Sequence, residues 1–378
     1  MKKKYKVAFL FLDEIHHLYH FITVATELAK EQEVHVLTHP QVNSLLYSSL
    51  QSLEAGEKVK VEELKTSAFR AITDKLKGRD LPRKGFWLKK NMKYLLQFDA
   101  LVFTDYFHHY LLKSRQNSTP KLIKFPHGAP GRAYIFNKNQ LDFDFQLLSG
   151  KFQFEEYQKR NLLGNHPAVV GYPKADFLKN RTSKDIFSNN KPTVLYNPHF
   201  DPALSSWKKT GLDVLEFFYQ NKEYNVIFAP HLHLFQKKKG GEDSSTIPEK
   251  FFKSENIHID LGSEASVDMS YVSNADIYLG DVSSQVFEFI INPRPCIFLN
   301  PYDFAYEDDI AFRFWQAGQV IQSANELEQA LRKATTQFDR FKPVQERMNE
   351  ENFYSEDNST ATQRAARAIT EFLDKEIS

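Results

Sequence analysis

The sequence predicts an α/β protein of two doubly wound domains, and three observations lead there. Short apolar runs rich in β-branched and aromatic residues alternate with longer segments of helical period. Those runs are bounded by Gly, Pro and Asp and read as near-continuously apolar, as strands buried on both faces of a parallel sheet do. The pattern then starts again after a polar stretch, KNRTSKDIFSNNKP (179–192), which reads as a linker.

In chain order, YKVAFLFL forms a buried strand, 17–32 an amphipathic helix and EVHVLT the next strand. Further strands are expected at 99–105, 121–126, 143–149 and 167–173. Beyond the linker, TVLYNP, YNVIFAP, NIHIDL, ADIYLGD and PCIFLNP repeat the theme around a helix at 211–221. The tail 359–377 is an amphipathic helix with Ser359 or Thr360 as its N-cap. The expected domains are 1–178 and 193–357, with 358–378 packing back toward the first.

Composition narrows the function. The 378 residues include 49 Lys+Arg against 48 Asp+Glu, a net charge of +1, which argues against a dedicated nucleic-acid binder. Cys296 is the only cysteine, so no intrachain disulfide forms and a reducing, cytoplasmic setting fits. The first apolar run stops at Asp13, short of a secretory signal, and no window approaches the roughly 20 apolar residues of a membrane span. With 33 Phe and 17 Tyr, peripheral membrane contact stays open.

Open α/β sheets bind ligands at the carboxyl ends of their strands, and four spots there carry chemistry. In ADIYLGDVSSQVFEF, Gly280, Asp281, Ser283 and Ser284 form a turn leading into a helix, where backbone N–H groups and hydroxyls suit a pyrophosphate. Plain N-capping is the alternative. Glu288, one turn on, is placed to accept from ribose hydroxyls or to face solvent. In KFPHGAPGRAYIF, His127 follows a strand as a candidate general base, Gly128 permits close approach and Arg132 supplies charge.

In IFAPHLHLFQKKKGG, His231 and His233 follow a strand. The i, i+2 spacing lacks a carboxylate partner for a metal, so phosphate donation by His231 with Lys237–Lys239 closing over it fits better. In LDEIHHLYHF, Asp13, Glu14, His16, His17 and His20 suggest an acceptor-side surface; a metal between His16 and His20, one helical turn apart, is the weaker reading. The candidate site includes no metal, and no tightly bound cofactor is expected.

The segments PHGAPGRAYIF, FDFQLLSGKFQFEEY, AVVGYPKADFL, VLYNPHF, IFAPHLHL, ADIYLGDVSSQVFEFIINPRPCIFLNP and GQVIQSANELEQAL stand in the same order as in the CDP-glycerol glycerophosphotransferase family, which the chain resembles over roughly 99–340 and the closing helix. The resemblance implies a GT-B architecture, two Rossmann-like domains facing across a cleft, with the donor on the C-terminal domain and the acceptor on the N-terminal one. It implies transfer of glycerol phosphate, or a related polyol phosphate, from a CDP-activated donor to a hydroxyl. The products would be teichoic-acid-like or capsular polymers, made at the inner face of the cytoplasmic membrane, on an acceptor that can be lipid-linked.

By the same resemblance His127 matches the base, His231 the histidine that stabilises the donor phosphates, and Ser283 and Ser284 the paired serines near the pyrophosphate. Two positions depart from the family. Pro126 stands where an aromatic often precedes His-Gly, and Ala229 where Arg or Lys often lies two residues before the second histidine. The missing charge would then come from Arg132 or the Lys237–Lys239 loop. Two rivals are carried forward: a GT-B glycosyltransferase or epimerase using a UDP-sugar, and a catalytically silent nucleotide-binding scaffold.

Overall fold

The computed structural model describes residues 3–12, 14–39, 43–77, 83–115, 119–128, 136–178, 185–236, 240–355 and 358–377. The described residues of Met1–Gly128, Phe136–Asn180 and Glu350–Ser378 form one compact unit, and those of Arg181–Asn349 form another.

The first unit is built on seven parallel strands: β1 Lys6–Phe11, β2 Glu33–Thr38, β3 Val59–Glu63, β4 Ala100–Phe103, β5 Lys121–Lys124, β6 Phe145–Leu148 and β7 Pro167–Val169. Their spatial order is β3-β2-β1-β4-β5-β6-β7. Consecutive strands β1, β2 and β3 run one way from β1, and β4 onward run the other. That reversal is the switch point at which doubly wound sheets open a crevice for ligands. Central strands β4, ALVF, and β5, KLIK, are buried throughout, the second despite a lysine at each end, whereas the edge strand β3, VKVEE, is buried only at Val59.

The helix Leu18–Leu28 lies almost wholly within the unit. The closing helix Ala361–Glu376 packs on it, joined by a 3.0 Å hydrogen bond between the hydroxyls of Thr362 and Thr23. Thr360 is the N-cap, and with Gln363 it completes a capping box. Arg364 ties this helix to the Gly-Tyr-Pro turn by donating to the carbonyls of Val170 (2.9 Å) and Tyr354 (2.7 Å). At Gly171, φ is +95°, and a Cβ would lie 2.7 Å from both the Arg364 guanidinium and the Tyr354 carbonyl, so the turn requires glycine.

The second unit carries six parallel strands: β8 Thr193–Asn197, β9 Asn225–Phe228, β10 Ile257–Ile259, β11 Ile277–Gly280, β12 Cys296–Leu299 and β13 Gln319–Ile321. Their order, β10-β9-β8-β11-β12-β13, repeats the topology of the first sheet with its switch point between β8 and β11. Val194, Tyr196, Val226, Phe228, Leu279 and Ile297 anchor the core on one side of that sheet, packed against the helices Leu212–Gln220 and Leu327–Thr336. Among the described residues, no helix is long and apolar enough to cross a membrane.

Candidate functional site

In the first unit, the carboxyl ends of β1, β4 and β5 bring together two of the four predicted spots. The segment after β1 starts a short 3-10 turn, Ile15–His17, which delivers His17 against the segment after β5: the rings of His17 and His127 stack with centroids 4.3 Å apart. The His16 ring lies 4.4 Å from that of His17. Between these segments, the residue after β4, Thr104, organises the group. Its hydroxyl is 2.9 Å from His17 Nδ1, and its carbonyl accepts from both His127 Nδ1 and the Lys124 ammonium, the latter at 2.7 Å.

This arrangement sets the His127 tautomer. A carbonyl only accepts, so Nδ1 carries the proton and Nε2 is the basic nitrogen, the form a general base needs. Burial, followed by the nearby Lys124 charge, pulls the His127 pKa down to about 4. Burial likewise lowers the Lys124 ammonium to about 7, although Asp105 opposes the shift. Asp105 is pushed up by its own burial, but Lys84, 2.8 Å away, outweighs that and holds it down at about 2. The floor of this site is therefore a neutral imidazole beside a lysine that loses its proton near neutrality.

A pH dependence follows with a definite sign. The base is competent only when neutral, so activity rises with pH through the imidazole pKa and then levels off. We expect the acid limb of kcat/KM, which reports the free enzyme, near pH 4 rather than the usual histidine value. An anionic acceptor raises the pKa of a neighbouring imidazole, so the limb of kcat should lie above that of kcat/KM. Initial rates from about pH 3 to pH 8 check both.

Gly128 has a φ of +78°, and its N–H donates 3.1 Å to His20 Nε2. The amide that glycine seemed to open to substrate is thus engaged by a buried histidine, whose pKa burial and then Lys174 push well below its ordinary value. His16 lies beside His17 in this cluster. Among the described residues, the His, Cys, Asp and Glu atoms gathered closely enough to hold an ion belong to His108, His109 and Asp142. Asp13 and Arg132 lie outside the described residues.

In the second unit, the switch point between β8 and β11 holds a second histidine pair. His199 follows β8 and His231 follows β9, with ring centroids 5.4 Å apart; Phe200 lies 4.5 Å from the His231 ring and His233 lies 5.0 Å from it. His231 Nδ1 accepts from the His233 N–H at 3.2 Å, and His199 Nδ1 accepts from the Asp201 N–H at 3.1 Å. In the neutral rings the proton therefore sits on Nε2, and both present a donor. This is the reverse of His127, and it suits phosphate oxygens. His199 is not among the sequence-predicted site residues, although its Pro-His step after a strand duplicates the one at Pro230-His231.

Asp281 plays a different part from the one predicted. It is fully buried, and its carboxylate takes the N–H groups of His199 (2.8 Å), Ser206 (2.6 Å) and Val282 (2.5 Å). Burial raises its pKa, with these amides opposing. An acceptor saturated in this way braces the loops after β8 and β11 and has no donor to offer a phosphate. Gly280 is explained by packing, since a Cβ would lie 2.7 Å from the Tyr278 phenol oxygen.

Ser283 is buried, and its hydroxyl accepts from the Gln285 N–H at 3.3 Å, just ahead of the Ser284 N-cap. Ser284 is half-buried at the start of the helix Gln285–Phe289, only five residues long and so carrying little dipole. Glu288 is buried rather than facing solvent. The Ala229 side chain is buried, and its carbonyl accepts from Asn197 Nδ2 at 2.6 Å. Lys237–Lys239, one proposed source of the missing charge, lie outside the described residues.

Comparison with known proteins bears on this chemistry. Residues 89–371 match the family described as CDP-glycerol:poly(glycerophosphate) glycerophosphotransferase. A sequence search of curated proteins returned no match. Among solved structures, a histidine-to-asparagine variant of the wall teichoic acid polymerase TagF with CDPG superposes with a TM-score of 0.62 at 14% identity, covering 99% of this chain and 89% of that one. A histidine-to-alanine variant of TagF gives 0.64 at 14% identity with the same coverage. UDP-GlcNAc 2-epimerase from Neisseria meningitidis, bound to UDP-GlcNAc, gives 0.56 at 14% identity over 98% of this chain and 99% of that one. These likenesses place the fold in the GT-B class, with two parallel α/β sheets in one chain.

Proposed function

The chain belongs to the CDP-glycerol:poly(glycerophosphate) glycerophosphotransferase family, and from that premise we propose the residues through which it moves glycerol phosphate, or a related polyol phosphate, from a CDP-activated donor to a hydroxyl. His127 Nε2 takes the proton of the acceptor hydroxyl as its oxygen attacks the donor's β-phosphorus. The new O–P bond forms as the bond from that phosphorus to the bridging oxygen breaks, and CMP leaves with the electron pair. His231 and His199 donate from Nε2 to the phosphate oxygens on which charge builds. Positioning and fixed donors supply most of the acceleration in phosphoryl transfer.

Ser284 is the hydroxyl of the Ser pair kept for the donor phosphates. Arg132 and Lys237–Lys239 are proposed to supply the positive charge that the family usually carries at the Ala229 position. The donor arrives as a substrate, so the scheme calls for no tightly bound cofactor. We assign the acceptor to a growing polyol-phosphate chain of the cell wall or a capsule, lipid-linked at the inner face of the cytoplasmic membrane.

The observation that carries the proposal is the bond from His127 Nδ1 to the Thr104 carbonyl, which leaves the base nitrogen as Nε2. The test is incubation with CDP-glycerol and a short poly(glycerol phosphate) acceptor. Mass spectrometry should record the acceptor gaining glycerol phosphate units with one CMP released per unit. UDP-GlcNAc in place of the donor should give no product. Turnover of a UDP-sugar without any CMP from CDP-glycerol would transfer the chain to the rival donor class, and failure to turn over either would support the silent scaffold.

A further inference from the structure

After β4 the chain enters a short helix, His109–Leu112, and sets two histidines in succession at its start. His108 is fully buried and His109 is exposed. The His108 ring lies 4.3 Å from that of Phe143 and 4.5 Å from that of His109, centroid to centroid. Phe143 is itself buried and directly follows Asp142, the last residue of the 3-10 turn Lys138–Asp142. This packing brings one carboxylate to both imidazoles. Asp142 Oδ2 lies 2.9 Å from His108 Nε2 and 3.9 Å from His109 Nδ1, and the three ligand atoms all lie within 4.8 Å of one another.

A tether between the two turns needs only the bond from His108 to Asp142. His109 stands beyond hydrogen-bond range of the same oxygen, and among the described residues no lysine or arginine pairs with Asp142. The other histidine–carboxylate group of this unit is satisfied differently. His35 contacts Glu33 and Glu62, but Lys60 donates to Glu33 at 2.7 Å and Tyr94 donates to Glu62 at 2.6 Å. Its carboxylates have donors enough; Asp142 has two imidazoles, which are uncharged when they act as ligands.

We propose that His108 Nε2, His109 Nδ1 and Asp142 Oδ2 hold a divalent transition-metal ion of the zinc type. Two imidazoles and a carboxylate suit such an ion, whereas magnesium and calcium prefer all-oxygen sites. A tetrahedral ion with bonds of about 2.0–2.1 Å sets its ligand atoms about 3.3 Å apart, between the two distances seen here. His109 closes the wider gap by turning an exposed ring, which leaves the core undisturbed. The fourth position faces solvent and takes a water.

The ion takes the lone pair of His108 Nε2, so that ring carries its proton on Nδ1. That nitrogen is buried with no hydrogen-bond partner among the described residues. The acceptor that usually braces a ligating histidine is missing, so the ion binds about 10–100-fold more weakly than at a braced site and exchanges readily. The site uses none of the residues assigned to the transfer reaction and stands independently of that assignment.

The test is calorimetric titration with zinc chloride of the full chain, first stripped with a chelator and moved to metal-free buffer. The wild-type chain should take up zinc with a rise in Tm, and magnesium should change neither. His109→Ala removes an exposed ring, and Asp142→Asn keeps an oxygen to accept from His108 while removing the charge. Each should weaken zinc binding by at least about tenfold and leave the Tm of the metal-free chain unchanged. Should Asp142→Asn lower that Tm, His109→Ala alone decides.

No zinc uptake by the wild-type chain overturns the proposal. So does equal zinc affinity in the wild-type chain and the His109→Ala variant, because the ion then sits at other histidines. A Tm rise with magnesium equal to that with zinc overturns it as well.

Discussion

His127→Ala should lower kcat by about 10²–10⁴-fold, the usual contribution of a positioned general base, while leaving the affinity for CDP-glycerol within a factor of about two. The reason is division of labour. In the proposed scheme the imidazole meets the acceptor hydroxyl only as the new bond forms, whereas the second unit supplies the donor affinity. His127→Asn sharpens the test: its Nδ2 sits where the ring Nδ1 does and can still donate to the Thr104 carbonyl, but the side chain supplies no basic nitrogen. Turnover should therefore stay low even where the local packing is kept. Isothermal titration with CDP-glycerol alongside quenched-flow detection of CMP checks both variants. Parallel losses of binding and turnover would give His127 a structural role.

The largest expected effect on stability lies at Asp281. Asp281→Ala leaves three buried backbone N–H groups, of His199, Ser206 and Val282, without the carboxylate that now accepts from them. An orphaned buried donor costs about 1–3 kcal/mol, so we expect a loss on the order of 4 kcal/mol in urea unfolding of the second unit. Asp281→Asn keeps one oxygen and should cost about half as much. Ser283→Ala removes a long capping bond and should cost about 1 kcal/mol. The ordering Asp281→Ala, then Asp281→Asn, then Ser283→Ala distinguishes a loop brace from a phosphate ligand, because a ligand would lose donor affinity without losing stability.

Much of the fold is legible because parallel sheets leave a strong local trace. Strands buried on both faces, such as ALVF at 100–103 and CIFL at 296–299, are unbroken apolar runs. The edge strand Val59–Glu63 escapes the same reading because three of its five residues are charged and its burial is mixed. The helix Phe338–Asn352 is obscured by Pro343 inside it.

The site divides in the same way. His127 and His231 stand out because each directly follows a strand, and His199 satisfies that rule too, so it was within reach. What decides their chemistry was not. The proton on His127 is placed by the carbonyl of Thr104, 23 residues away, and Asp281 reaches an amide 82 residues away. Such partners depend on strand order, which local sequence does not encode.

The most direct measurement for the central claim is the protonation pattern of the ring nitrogens at neutral pH, read from long-range proton–nitrogen correlations and assigned by single His→Gln substitutions. His127 should be protonated on Nδ1, and His199 and His231 on Nε2. A His127 ring carrying its proton on Nε2, with Nδ1 bare, would contradict that claim, because that ring could not take a proton from the acceptor through Nε2.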